Sequence, residues 1–271
     1  MSMTSGVAEV NGTKLYYEIM GEGHPLVMIS GGSLLDRRGW DNQFIPFSEK
    51  YKVIRYDVRG IGKSDDPVDT YSPLEDLHEL LKALNVESAY LMGLSLGGRL
   101  AIDYTLEHPE MVDALILASS GPSGVTLSDE YMKGLGDILA AYAEGGAQGA
   151  IRAIMAIESS PQPDNVAARE KMKQILSDNA RVFDTNYSFI ALMQQIEPPA
   201  IGRLSEIRCP ALTIRGGRDH PEHHSMVDIL ESGIAGVETA IIPDGGHTIS
   251  VERPEQFNEI VLGFLSKLQS V

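Results

Sequence analysis

The sequence predicts an α/β protein, with a mostly parallel, doubly wound sheet, helices on both faces and a helical segment inserted between two of its strands. Three observations predict this fold class. Short apolar runs of strand length alternate with helical patterns through most of the chain. The alternation stops at about Gly121 and resumes after about Gly202. A glycine-rich turn joins one of the apolar runs directly to the helical pattern that follows it.

The predicted strands begin with an antiparallel pair. Asn11-Gly12 separates two apolar runs, and a two-residue hairpin needs positive φ at both turn positions, which this dipeptide adopts readily. Each later apolar run is bounded by glycine, proline or polar residues, as buried strands are. These runs cover residues 26–29, 53–56, 89–92, 114–118, 211–214 and 239–242.

Helices are predicted between these strands. Ser72 and Glu75 form a capping box with Pro73 at the first helical position, and leucines then repeat on one face. Apolar residues at i, i+4 and i+8 predict another helix over residues 95–106. Pro254 starts the last helix, which carries one apolar stripe.

Residues 121–202 contain helical patterns and no convincing strand. The patterns cover residues 129–143, 147–158, 165–176 and 185–196, and prolines separate several of them. We therefore expect a core domain made of residues 1–120 and 203–271, and a helical cap made of residues 121–202. A cap at the carboxyl ends of the strands would roof any site there.

The composition excludes several classes of protein. Of 271 residues, 43% are hydrophobic and 22% charged, as in globular proteins rather than disordered ones. The 22 basic and 38 acidic residues give a net charge of −16, which argues against binding to nucleic acid or to anionic membranes. No apolar run approaches a membrane span, and the N-terminus lacks a signal-peptide pattern. The single cysteine, Cys209, suits a reducing compartment, so we expect a cytoplasmic protein. We also expect it to be a monomer or a homodimer.

A nucleophile is predicted at Ser95. The segment Gly93-Leu94-Ser95-Leu96-Gly97-Gly98 follows a predicted strand and precedes a predicted helix, the context in which G-x-S-x-G presents its serine above a sheet. Glycines suit the sharp turn because they have no Cβ to clash with the neighbouring strand and helix.

Acyl transfer also needs donors for the developing oxyanion. The N–H of Leu96, directly after the predicted nucleophile, is the first expected donor. The loop after residues 26–29 reads Ser30-Gly31-Gly32-Ser33. We expect the second donor to be the N–H of Gly32, with Ser33 as the alternative.

The expected base and acid follow later strands. His247 comes just after residues 239–242, and a serine nucleophile needs such a base. Asp219 follows residues 211–214, where its carboxylate can fix the tautomer of the ring. Asp244 is the rival acid, but it lies too close in sequence to His247 to reach around the ring easily.

The residues after Asp219 also invite interpretation as a metal site, because His220, His223 and His224 lie close together. The spacing lacks a matched second cluster, and Pro221 is expected to start a helix that splays the side chains. We therefore expect solvated surface histidines here and no bound metal.

Together these features resemble the α/β-hydrolase superfamily over nearly the full chain. Residues 56–64 resemble the family's D-x-R-G-x-G-x-S segment, and the order Ser95, Asp219, His247 is the family's order. The chain looks most similar to the small carboxylesterases and lactonases, which include enol-lactonases and acyl-homoserine lactonases. Many relatives have His-Gly where this chain has Ser30-Gly31.

The resemblance implies a hydrolase of carboxylic esters or lactones that works without a cofactor. Two alternatives stay open. The same fold supports cofactor-free perhydrolysis, as in haloperoxidases, or hydrolysis of a carbon–carbon bond. The chain could instead be a non-catalytic receptor for a small ligand. The net charge of −16 favours a neutral ester or lactone as the substrate.

Overall fold

A computed structural model describes residues 2–31, 34–184 and 192–268. The described chain forms one eight-stranded sheet in the order β1-β2-β4-β3-β5-β6-β7-β8. The strands are β1 (Thr4–Val10), β2 (Thr13–Met20), β3 (Pro25–Ile29), β4 (Lys52–Tyr56), β5 (Ala89–Leu94), β6 (Val112–Ala118), β7 (Ala211–Gly216) and β8 (Glu238–Ile242). The strands β1 and β2 pair antiparallel, as does β2 with β4, whereas all later pairs are parallel.

Helices accompany the sheet in chain order. They are α1 (Asp41–Ser48), α2 (Pro73–Ala83), α3 (Leu96–Glu107), α4 (Asp129–Ala156), α5 (Val166–Asp178), α6 (Arg181–Asp184), α7 (Pro221–Gly233), α8 (Ile249–Glu252) and α9 (Pro254–Leu268). The predicted hairpin turn is present, with positive φ at Asn11 and Gly12. The predicted capping box starts α2, because Ser72 accepts a hydrogen bond from the Glu75 N–H.

The sheet separates two apolar cores. Along β3, Leu26 and Met28 pack on the face covered by α1 and α9, and Val27 and Ile29 pack on the face covered by α2 and α3. Alternate side chains point to opposite faces of a strand, so a strand buried on both sides reads as a continuous apolar run. This arrangement confirms the predicted doubly wound sheet.

Helices α4 to α6 lie between β6 and β7 in the chain, where the sequence predicts an insertion. Helix α4 bends at Gly145 and Gly146, whose backbone angles are not helical. The helix predicted over 185–196 falls largely on residues outside those described. Of its described end, Leu192 is helical but residues 193–196 are not, and Met193 forms an isolated bridge with Tyr71. No described helix is long and apolar enough to span a membrane.

Candidate active site

The turn that carries Ser95 joins β5 to α3. Ser95 has φ 52° and ψ −118°, a backbone conformation that residues other than glycine rarely adopt. The turn is held by hydrogen bonds from the Ser95 N–H to the Ala118 carbonyl, at 2.9 Å, and from the Gly98 N–H to the Ser95 carbonyl, at 3.0 Å. Strain of this kind is found where a side chain must be presented for function.

Two glycines allow the turn to pack. A Cβ on Gly93 would lie 2.3 Å from the Gly97 carbonyl oxygen, and a Cβ on Gly97 would lie 2.3 Å from the Ile29 carbonyl oxygen. Neither oxygen can move away easily, because both belong to the backbone. The predicted role of glycine at these positions therefore has a direct steric basis.

Asp219 and His247 meet at the carboxyl ends of β7 and β8. The Nδ1 atom of His247 lies 3.0 Å from Oδ2 of Asp219 and 3.2 Å from Oδ1. The rival acid Asp244 is exposed, and its carbonyl oxygen, not its carboxylate, contacts Arg218. The structure therefore brings Asp219 rather than Asp244 to the ring.

The charges of this pair stabilise each other. Burial opposes a charged His247 ring, but the adjacent Asp219 carboxylate outweighs burial and raises the pKa of His247 above its ordinary value. Burial likewise opposes a charged Asp219, but His247 and His223 hold the pKa of that carboxyl well below its usual range. Asp219 is therefore ionised at neutral pH, as an acid that orients a histidine must be.

His223 is a second histidine on the same carboxylate. Its Nδ1 lies 2.7 Å from Oδ1 of Asp219, and its Nε2 lies 3.0 Å from the hydroxyl of Tyr131. Its ring stacks on that of His247 with centroids 4.0 Å apart. The prediction of a solvated surface histidine is wrong for His223, because Pro221 starts α7 and its first turn directs His223 inward.

The carboxylate of Asp219 and the imidazoles of His223 and His247 are groups that can bind metal ions. Ligand-type atoms of Asp219, His223 and His247 all lie within 4.8 Å of one another. The two rings are nearly parallel, at 22°, and both direct Nδ1 at the carboxylate. Both Nδ1 atoms are thus engaged with the Asp219 carboxylate, so the three side chains form a hydrogen-bonded cluster.

Glu252 stabilises the loop that carries His247. Its buried carboxylate accepts hydrogen bonds from the N–H groups of Gly246 and Thr248 and pairs with Arg218 at 2.9 Å. The His247 N–H also donates to the carbonyl of Ser159, which lies between α4 and α5, at 2.8 Å. The backbone around His247 is therefore held both by Glu252 of α8 and by Ser159, between α4 and α5.

The loop after β3 is anchored at its far end. Gly32 and Ser33, the expected second oxyanion donor and its alternative, lie outside the described residues. The Arg37 N–H donates to Asp57 at 2.9 Å, and Asn179 after α5 donates to Asp36 at 2.9 Å. Leu96, the other expected donor, is the first residue of α3, where N–H groups have no partner within the helix.

Ser95 lies at the same edge of the sheet as the other two residues. It follows β5, and the parallel strands β5 to β8 end on one side. The Ser95 hydroxyl makes no hydrogen bond to His247 within the described part of the chain. Contacts of this kind often tighten only when a ligand is bound.

Sequence patterns did not point to Tyr131 or Asn179, and they did not predict the contacts that His223 and Glu252 make. Tyr131 and Asn179 act through contacts with distant segments, and periodicity does not report such contacts. For His223 a weak signal exists, because it lies four residues after Asp219 at the start of a helix, where side chains i and i+4 share a face.

The chain is similar to known proteins over most of its length. A family model described as alpha/beta hydrolase fold matches residues 24–254. The chain is 29% identical over 266 residues to the 2-hydroxy-6-oxononadienedioate/2-hydroxy-6-oxononatrienedioate hydrolase of Escherichia coli (strain K12), covering 94% of this chain and 91% of that protein. It is 26% identical over 267 residues to the putative carbamate hydrolase RutD of Serratia proteamaculans (strain 568), covering 94% and 97%.

Two solved structures are similar along nearly the whole chain. Est816, described as an N-acyl homoserine lactone degrading enzyme, superposes with a TM-score of 0.76 at 29% identity, covering 96% of this chain and 100% of that one. The enol-lactonase from Burkholderia xenovorans LB400 superposes with a TM-score of 0.80 at 24% identity, with the same coverage. The second likeness concerns the fold alone.

Proposed function

Because the chain belongs to the family of proteins with the alpha/beta hydrolase fold, we propose that it is a serine hydrolase that cleaves carboxylic esters or lactones. The hydrogen bond between Asp219 and His247, at the strand ends beside the strained turn of Ser95, carries this proposal. Similarity to an N-acyl homoserine lactone degrading enzyme also supports it.

In the proposed mechanism His247 moves the protons. Its Nδ1–H donates to Asp219, which leaves Nε2 free to take the proton of the Ser95 hydroxyl as its oxygen attacks the carbonyl carbon. The tetrahedral intermediate collapses, and His247 gives that proton to the leaving alkoxide. The acyl-enzyme is then hydrolysed by a water that His247 deprotonates, and Ser95 recovers its proton.

The proposed oxyanion hole consists of the N–H groups of Leu96 and Gly32. Leu96 is suited to this role because its N–H belongs to the unpaired first turn of α3, where the helix dipole is positive. In the proposed mechanism the carbonyl oxygen moves toward these donors as its charge develops.

We propose that residues 121–202 form a cap over this site and that residues 1–120 and 203–271 form the core. Contacts at the carboxyl ends of several strands support this division. Asn179 contacts the loops after β3 and β4, and Ser159 contacts the loop after β8.

The ion pairs of three arginines near the loop after β3 favour a neutral substrate. Each is already bound to carboxylates: Arg37 to Glu18 and Asp57, Arg38 to Asp36 and Asp178, and Arg55 to Glu18 and Asp41. An anionic substrate would have to compete with these partners for a cation.

A second candidate is hydrolysis of a carbon–carbon bond. The relative from Escherichia coli, at 29% identity, is named a 2-hydroxy-6-oxononadienedioate/2-hydroxy-6-oxononatrienedioate hydrolase. These names describe dicarboxylates without an ester group, so their hydrolysis would break a carbon–carbon bond. Such substrates are dianions, and the paired arginines disfavour them. Carbamates, perhydrolysis and simple ligand binding are further alternatives, and a substrate panel separates them.

We also propose a cytoplasmic location and a monomeric or homodimeric state. The cysteine content supports the first, because a chain whose single cysteine is Cys209 forms no internal disulfide, as suits a reducing compartment.

The test replaces Ser95 and measures two properties. Ser95→Ala should abolish hydrolysis of short p-nitrophenyl esters and labelling by a fluorophosphonate, because both need the hydroxyl, while the circular dichroism spectrum stays unchanged. Ser119→Ala is a matched control at the end of the neighbouring strand β6, and it should retain labelling. Hydrolysis that survives Ser95→Ala would refute the proposal.

A further inference from the structure

The Asp219 carboxylate is shared between two histidines. The distance from Asp219 to Nδ1 of His223 is 2.7 Å, which is shorter than the 3.0 Å to Nδ1 of His247. The Asp219 carboxylate also accepts the His220 N–H, at 2.7 Å. A triad needs only one histidine on its acid, so the contact with His223 calls for a role of its own.

We propose that His223 is a positioning residue, which links Asp219 to helix α4 through Tyr131 and donates a hydrogen bond to the same carboxylate that orients His247. This inference rests on the proposed function, because it concerns the acid and base of the same site.

The hydrogen bonds define one tautomer of His223. Asp219 is ionised and can only accept, so Nδ1 of His223 carries the proton. A neutral ring then has a lone pair on Nε2, and the Tyr131 hydroxyl, 3.0 Å away, donates to it. Burial, together with the neighbouring His247, lowers the pKa of His223, which keeps the ring neutral. All of its polar contacts are thereby satisfied.

The groups that face His223 come from several elements. Asp219 and His220 lie on its own loop, Glu222 precedes it on α7, Tyr131 faces it from α4, and His247 stacks on it from the loop after β8. Glu222 is bound to Ser128 at 2.6 Å, directly before α4. Helix α4 therefore contacts α7 at two neighbouring points, one of which leads to Asp219.

A donor on Asp219 changes how strongly the carboxylate stabilises a charged His247. The Nδ1–H of His223 places partial positive charge at the carboxylate and so reduces its pull on the His247 proton. Without that donor, Asp219 favours the imidazolium more strongly, and His247 loses its proton only at higher pH. His223 thus keeps the proposed base usable closer to neutral pH.

The experiment titrates the histidine rings by ¹H–¹⁵N NMR in Ser95→Ala protein, where turnover does not interfere. His223→Phe removes the donor but keeps a ring against His247. We expect it to raise the pKa of His247 by about half a unit. With Ser95 present, the same change should lower kcat/KM about threefold at pH values below that pKa and leave it nearly unchanged at pH 9.

Two controls separate the hydrogen bond from packing. His223→Asn keeps an N–H near the position of Nδ1, so the pKa of His247 should stay close to that of the parent. His224→Phe changes the neighbouring histidine of α7, which does not contact Asp219 in the described structure, and it should move the pKa of His247 by less than about 0.2 unit.

Tyr131→Phe tests the link to α4 and removes only a hydroxyl. Without its donor at Nε2, the His223 ring is protonated more easily, so we expect the pKa of His223 to rise. If His223→Phe does not fold, Tyr131→Phe and His223→Asn still test the inference. An unchanged pKa of His223 in Tyr131→Phe overturns it.

The inference and the proposed function fail in different ways. If His223→Phe leaves the pKa of His247 unchanged while hydrolysis still depends on Ser95, only the role of His223 is wrong. If Ser95→Ala retains hydrolysis, the proposed function is wrong, although the titrations still report whether His223 acts on Asp219.

Discussion

The proton on His247 sets the pH range in which the proposed base can work. Asp219 and Glu252 outweigh the effect of burial and raise the pKa of His247. A raised pKa means that the inactive imidazolium persists to higher pH, so activity appears only above it. We expect kcat/KM for a neutral ester to fall with decreasing pH, with its midpoint above the ordinary histidine value of about 6.5.

The control for this pH profile is Asp244→Asn. It removes a negative charge from the same loop without touching the ring, since Asp244 is exposed. Its midpoint should stay within about 0.2 unit of the parent's, because exposed charges are screened. A midpoint clearly below 6.5 in the parent protein would show that the carboxylates do not hold the His247 proton in this way.

At the scale of elements, the junction of β5, α3 and β3 depends on Gly97. Because a Cβ here would lie 2.3 Å from the Ile29 carbonyl oxygen and 2.5 Å from that of Ser30, Gly97→Ala must push α3 away from β3. We expect it to lower the free energy of unfolding by about 1–3 kcal/mol or more, as overpacking does. Urea unfolding followed by circular dichroism measures the change.

Gly134→Ala is the matched comparison for Gly97→Ala. Gly134 lies within α4, and a Cβ there has no neighbour within 4 Å. Alanine loses less backbone entropy in a helix, so this variant should be more stable by up to about 1 kcal/mol. Equal effects of the two substitutions would mean that the steric contact at Gly97 is not what constrains the turn.

The elements that the sequence predicted best are those with local signals. The Asn11-Gly12 hairpin, the capped helix α2 and the apolar runs of the parallel strands are all confirmed, because turn chemistry, capping and burial act within a few residues. Strand ends were harder to place. The run predicted over 89–92 extends as β5 to Leu94, since pairing with β6 continues to that residue.

The candidate site was predicted only in part, for the same reason. Ser95, Asp219 and His247 each lie in the loop or turn that follows a parallel strand, so topology brings them to one edge of the sheet. Asn179 contacts Gly62, 117 positions away in the chain, and His223 is linked to Tyr131, 92 positions away. Such contacts depend on how α4 and α5 pack, which no local pattern specifies.

At the scale of the whole molecule, the two ends of the helical insertion are tied to each other beside α3. Ser123, near its start, accepts a hydrogen bond from the Ala200 N–H at 2.9 Å and donates to Asp103 of α3 at 2.8 Å. The Ile201 N–H donates to the Ser123 carbonyl. Both ends of the insertion are therefore tied to the helix that begins at the proposed nucleophile.

Asp103 makes the contact between the two ends of the insertion sensitive to pH. Burial raises the pKa of its carboxyl from 3.8 to about 6, although the Ser123 hydroxyl acts in the opposite direction. Between these values the folded protein binds the proton more tightly than the unfolded chain, so its contribution to stability is present at low pH and is lost as pH rises through about 6. Above that pH, folding leaves a buried charge in place.

Asp103→Asn should therefore stabilise the protein at neutral pH and not at low pH. Asparagine keeps a carbonyl oxygen for the Ser123 hydroxyl and removes the charge, so we expect a gain of about 1–3 kcal/mol above pH 7 that disappears below about pH 4. Urea unfolding at pH 4, 6 and 8 measures it, with Asp137→Asn on the exposed side of α4 as the control. If Asp103→Asn changes the unfolding free energy equally at all three pH values, its carboxyl is not what makes the ends of the insertion pH-sensitive.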